Sequence, residues 1–245
     1  HPRGIGFVGN SYQKEMNSLS EGYEEFLQKL APFFKECLDA YAASFDFDVA
    51  RACREALAPH PVAPPLQHER ALFLSIYTVG YLFRKRLVVS LAKRYPEFTV
   101  AGDPFWLSAL QPRQVRTDVG YYKNLGDMYR HNKINIDINR VLIRDGFTQR
   151  MFDCPAAGGF ILTSHKPVVH EFFDTDGEKA DCVVFKNEKQ LHEQIEYYRE
   201  HQPERRTIAR QCRERVLANH TYDHRVREIF SQLDAHGLGC LSGAG

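Results

Sequence analysis

Two acids at positions 145 and 153 frame the stretch with the most chemistry in the sequence, Asp145-Gly146-Phe147-Thr148-Gln149-Arg150-Met151-Phe152-Asp153. Cys154-Pro155-Ala156-Ala157-Gly158-Gly159 and the apolar run Phe160-Ile161-Leu162-Thr163 follow it. Physically this reads as loop, helix over 147–156, small-residue turn and strand. Gly146 would sit at the helix N-terminus, where unpaired N–H groups and the helix dipole favour a phosphate. Carboxylates two helical turns apart can project toward one side. Arg150 lies between them and either pairs with Asp153 or meets a diphosphate with two parallel N–H bonds. An ordinary helix–strand unit with an aspartate cap and a surface ion pair explains the pattern equally well.

Other polar residues carry weaker signals. His220 and His224 have the spacing of two metal ligands on one helix face, but Asp223 falls on another face, so no metal site is expected. Cys154 beside Asp153 has no evident base and reads as a buried structural thiol. Arg84-Lys85-Arg86 suits either a phosphate or a solvated helix end. Trp106 suits either a stacked base or the core. Asn135 and Asn139 suit loop backbone as well as ligand.

The whole composition narrows the classes. The 245 residues carry 32 basic and 31 acidic side chains, a net charge of +1. No basic excess exists to neutralise a nucleic-acid backbone, while a small phosphorylated ligand needs only a few local cations. Six cysteines are scattered without metal spacing, which reads as free thiols in a reducing cytoplasm and leaves a disulfide open. No apolar run approaches the roughly 18–20 residues of a membrane span. The start, His1-Pro2-Arg3-Gly4, has neither a signal-peptide layout nor an initiator Met, so the sequence reads as a piece of something longer.

The elements that would position these residues follow from periodicity. Ile5-Gly6-Phe7-Val8 is a strand closed by Gly9-Asn10-Ser11. Helical spacing runs over 21–57 with a break near Phe45-Asp46. A proline-rich loop at 58–65 follows, then a long helix over 68–94. Five short strand candidates come next, at 98–101, 115–117, 134–138, 160–163 and 182–185, mostly separated by helical stretches. That alternation predicts an α/β fold, a Rossmann-like, mostly parallel sheet of about six strands with a helical insertion after the first. Asn187 with Gln190 predicts a helix start, Pro203 another, and Thr221 the cap of a last helix. A single domain over 1–235 and a flexible Gly-rich tail at 236–245 complete the expectation.

The acid–seven residues–acid spacing, with Gly146-Phe147 after the first acid and a small-small-Gly turn at 156–158 after the second, resembles the donor-site signature of GT-B glycosyltransferases. Arg150 three residues before the second acid, then Gly158-Gly159-Phe160-Ile161-Leu162-Thr163, is similar to the CgeB-like spore-maturation family. Further segments share the likeness: Phe7-Val8-Gly9-Asn10, Val100-Ala101-Gly102-Asp103 with Trp106, and the Tyr121–Ile138 stretch ending Ile134-Asn135-Ile136-Asp137-Ile138. Arg86 and His220-Thr221-Tyr222-Asp223-His224-Arg225 also match, and the likeness is strongest over 72–230. Both acids of this chain are Asp where the family usually has Glu, and Asp137 stands where it more often shows Asn.

The resemblance implies a donor-binding half of a GT-B enzyme that transfers a sugar from a nucleotide-diphosphate sugar without a metal or other cofactor. Asp153 would hold the ribose. Asp145, Gly146 and Phe147 would meet the sugar and diphosphate, and Arg150 would stabilise the leaving diphosphate. Gly9 and Asn10 would line the opposite wall. Gly102 and Asp103 would reach the base or sugar, and Asn135 and Gly158 would complete the donor site. The acceptor is undetermined, and an N-terminal domain or partner chain would be needed to supply its site. Two other classes stay open. Aspartate shortens each acid by roughly 1–1.5 Å, which favours a non-catalytic nucleotide-sugar binder. Residues 21–94 could instead dock a protein partner.

Overall fold

The computed structural model describes residues 4–59, 65–177 and 179–236. Six strands, β1 (Ile5–Val8), β2 (Phe98–Ala101), β3 (Val115–Arg116), β4 (Ile134–Asp137), β5 (Ile161–Ser164) and β6 (Val183–Phe185), form one sheet in the order β3-β2-β1-β4-β5-β6. Every pairing is parallel, with Ile5 opposite both Phe98 and Ile134. One face of the sheet is apolar and covered, with Ile5, Phe7, Phe98, Val100, Ile134, Ile136 and Leu162 all buried, while the other carries smaller and polar residues such as Gly6, Asn135, Asp137 and Thr163.

Helices α1 (Gln13–Ser20), α2 (Glu24–Lys29), α3 (Ala31–Ala43), α4 (Val49–Leu57) and α5 (Pro65–Arg94) all lie between β1 and β2. Helix α6 (Leu125–His131) precedes β4, α7 (Arg150–Ala156) leads to β5, and α8 (Val169–Phe172) to β6. Three helices, α9 (Glu188–Glu200), α10 (Gln202–Asn219) and α11 (Tyr222–Ala235), close the described chain. The inserted helices share the main core through Phe34, Tyr41, Phe45, Val79, Phe83 and Leu87.

Chain order explains where a ligand would sit. From β1 the sheet grows through β2 to β3 on one side, then the chain returns to place β4 on the other. Loops leaving β1 and β4 therefore diverge, opening a crevice at the carboxyl ends of those strands. The six-stranded sheet with flanking helices is the expected Rossmann-like α/β arrangement, with all pairs parallel rather than most.

Local expectations meet mixed outcomes. The helix after the first acid starts at Arg150, not 147, and Gly146 lies in an irregular loop upstream of it. Pro155 lies inside this short helix, and Gly158 ends it with φ +87, a conformation that favours glycine. Asn187 caps α9 by accepting from Gln190 N at 2.8 Å, while the Gln190 side chain accepts from Lys186 N, one residue earlier than a standard capping box. Thr221 stands at the start of α11 but bonds His224 instead of backbone. No residue of α11 is buried, and Val226, Ile229, Phe230 and Leu233 form an exposed apolar stripe. Most of the proline-rich loop and the tail at 237–245 lie outside the described residues. The five described cysteines are buried and free.

Candidate functional site

At the divergence of β1 and β4 the structure gathers guanidinium groups. Arg84 reaches in from α5, is 2% exposed, and donates to the carbonyls of Asn10 (3.3 Å) and Ile138 (3.1 Å). It meets no carboxylate among the described residues; its charge lies 4.2 Å over the ring of Tyr12 and 5.4 Å from that of Phe7. Burial lowers its pKa to about 10, so it stays charged at neutral pH. An unpaired buried charge is costly, and a structure keeps one where something else will meet it.

Tyr12 supports that reading. It is the one non-glycine residue among those described with a left-handed backbone, φ 66, and strain of this kind gathers at functional sites. Its hydroxyl is buried without a partner, as is Asn139 Oδ1. Exposed Arg140 lies 5.3 Å from the same ring. Tyr12, Tyr77, Arg84, Asn139 and Arg140 line one cavity.

Arg150 approaches the same place from α7. Its Nε donates to Asp137 Oδ1 at 2.6 Å and its Nη2 to Ile138 O at 3.2 Å, with the charge 5.5 Å from the Phe7 ring. Burial alone would lower its pKa, but the Asp137 charge and hydrogen bond outweigh it and hold the value above the usual one. Asp137 is fully buried and also accepts from Thr148 and Thr163, each at 3.0 Å. So the aspartate partner of Arg150 is Asp137, not Asp153.

Asp145 lies elsewhere along the same loop. It lines a second cavity with Lys166, Arg144 and the α3–α4 corner at Asp46, Phe47 and Asp48. Lys166, at the end of β5, is 6% exposed. Burial lowers its pKa, and Asp145 partly restores it. Arg144 is tied to Asp48 at 2.6 Å, and His165 to Asp46 at 3.0 Å. Val141 and Leu142 line both this cavity and the one at Arg84.

Asp153 faces a third, mostly apolar cavity with Phe152, Val216, Leu217, His220 and Tyr222. The Tyr121 hydroxyl donates to its Oδ2 at 2.8 Å. Burial raises the Asp153 pKa, and the Tyr121 hydrogen bond opposes this. The two acids thus project into different cavities, correcting the expectation of a shared side. That expectation assumed one helix, and Asp145 precedes α7.

The remaining sequence candidates divide. Gly9 accepts from Trp106 Nε1 at 2.9 Å, which places that aromatic in the core, and Asn10 offers its carbonyl to Arg84. Gly102 packs so close that a Cβ would stand 2.4 Å from Gly9 O. Asp103 clasps the two loops, accepting from Ser11 N, Ser11 Oγ and Phe105 N. Asn135 is buried and bonds Tyr129 O, Phe160 O and Asn132. Phe147 packs on Phe152, Phe172 and Phe173. None of Gly102, Asp103, Asn135, Phe147 and Gly158 lines one of these three cavities. Arg86 is spent on Asp39 and Glu188.

Tyr12, Arg140, Lys166 and Tyr121 were not singled out as site residues by the sequence reading. A basic residue directly after Asn139 in a loop closing a buried strand was the available signal for Arg140. Among the described residues no three His, Cys, Asp or Glu side chains come together as a metal-binding group, and no helix is long and apolar enough to cross a membrane. In comparisons with known proteins, the sequence model of the family described as "Glycosyl transferase-like" matches residues 84–231. No curated protein matches the chain.

Proposed function

The chain belongs to the glycosyl transferase-like family, and from that premise we propose that it binds a nucleotide-diphosphate sugar and transfers the sugar without a metal. The observation that carries this is the pair Arg84 and Arg140 around Tyr12 at the β1–β4 crevice, two cations with no carboxylate partner among the described residues. A diphosphate supplies the missing negative charge, and Tyr12 has a free hydroxyl to donate to it. The Nη1 of Arg150 bonds nothing among the described residues and adds a third donor. As the bond to the sugar breaks, negative charge grows on the diphosphate, and fixed guanidinium groups stabilise it without reorganising.

The adjoining cavity at Asp145 takes the sugar, and the apolar one at Asp153 takes the nucleoside, with the carboxylate on the ribose hydroxyls in place of Tyr121. Within the family we assign the chain to the CgeB-like branch, on Arg150 and the Gly159-Phe160-Ile161-Leu162-Thr163 run. The acceptor comes from a further domain or chain. Titration calorimetry with UDP, GDP, TDP and their sugars in the presence of EDTA tests the reading. One nucleotide series should bind, about tenfold or more weaker to Arg140→Ala. Binding that is absent throughout, or unchanged in that variant, would overturn it.

A second reading is a binder that does not turn over, favoured by aspartate at both acid positions. Hydrolysis over hours, in which water takes the sugar and nucleoside diphosphate leaves, absent in Asp145→Asn, separates the two.

A further inference from the structure

The α3–α4 corner, residues 44–50, lies outside the family match, yet it forms one wall of the Asp145 cavity. Three ties fasten it to the sheet's carboxyl edge. Phe45 N donates to Lys186 O at 3.1 Å, Asp46 accepts from His165 at 3.0 Å, and Asp48 pairs with Arg144 at 2.6 Å. Asp48 is held rigidly, since its other oxygen accepts from Arg51 N at 2.9 Å and caps α4. Arg144 directly precedes Asp145, so the Asp48 pair restrains the backbone that carries that carboxylate.

Across the cavity, Lys166 is buried and its amine meets no hydrogen-bond acceptor among the described residues, while Asp145 is exposed and meets no donor among them. An ammonium lacking an acceptor and a carboxylate lacking a donor are both satisfied by a hydroxyl, which accepts from one and donates to the other. An anion is disfavoured there, because Asp46, Asp48 and Asp145 all line the space. A neutral, hydroxyl-bearing ring fits this charge balance. Val141 and Leu142 line both this cavity and the arginine cavity, so the two lie side by side, as a sugar joined to a diphosphate requires.

Resting on the donor reading above, we propose that the α3–α4 corner is the element that selects the donor's sugar, with Lys166 hydrogen-bonding a sugar hydroxyl and Asp48 acting as a positioning residue through Arg144. The insertion thereby gives a shared fold its own sugar preference.

The test compares the unmodified protein with Lys166→Met and Asp48→Asn against the nucleoside diphosphate alone and its glucose, galactose and N-acetylglucosamine derivatives. Asparagine retains an oxygen to cap α4 while losing the charge that holds Arg144. Lys166→Met should keep nucleoside diphosphate affinity within about twofold and lose about tenfold for the preferred sugar nucleotide. Asp48→Asn should narrow the preference between best and next sugar by about threefold or more, again with the nucleotide alone unaffected. A merely structural role would weaken all ligands by one factor. That outcome, or an unchanged ranking in both variants, overturns the proposal while leaving the donor reading intact. Failure of the unmodified protein to bind any nucleoside diphosphate overturns both.

Discussion

Arg84 is buried and Arg150 half-buried near Phe7, and their surroundings assign them opposite consequences. Arg150 is matched by the fully buried Asp137, so Asp137→Ala leaves a half-buried cation without its compensating charge. We expect a loss of about 3–5 kcal/mol of stability, read by urea unfolding. Arg84 has no such match. Arg84→Met should keep stability within about 1 kcal/mol of the parent, since an apolar side chain of similar reach replaces an uncompensated charge, and it should abolish nucleotide binding. Equal destabilisation by the two variants would contradict this division. The sequence made Arg150 and both acids visible as chemistry-bearing residues. It could not show that Arg150 turns to Asp137, because that contact depends on α7 returning across the end of β4, 13 positions away in sequence. Arg84 appeared only as part of a basic triplet; burial, which separates it from Lys85 and Arg86, is a property of the packed helix.

Elements bounded by local chemistry were legible, and those bounded by tertiary contact were not. Asn187 bonds a backbone N–H three residues on, a relation fixed by neighbours in sequence, and Asn187→Ala should cost about 1 kcal/mol in thermal or urea unfolding. The start of α7 depends instead on the loop at 138–149, which is held out of helix by Thr148 and Arg150 bonding Asp137. Propensity alone gives no sign of that anchor. Helix α11 shows the reverse problem. Val226, Ile229 and Phe230 recur at the spacing of a helix face, yet they and Leu233 are exposed in this chain. Ile229→Lys should therefore change stability by less than about 0.5 kcal/mol; a loss of 2 kcal/mol or more would show that the stripe is covered in solution.

At the scale of the molecule, strand alternation made the parallel sheet legible, while the crevice required the strand order itself, since only the return from β3 to β4 makes the loops diverge. Histidines spread across the fold couple it to pH. Burial lowers the pKa of His165, His192 and His220. The unfolded chain then takes up protons that the native state refuses, so the stabilisation is complete above the usual imidazole value of about 6.5 and falls as pH drops below it. Melting temperature should decline from pH 7 to pH 5, and less steeply in His192→Gln.

One feature of the chain ties the three cavities together. The segment from Ile138 to Asp153 passes along each in turn, through Arg140, then Asp145, then Gln149 and Asp153. A ligand that stills one end of this segment has already met part of the entropic cost of stilling the other. On the donor reading proposed above, the two halves of a donor offered as separate molecules should bind with positive cooperativity, each tightening the other by the same factor when titrated with and without the other.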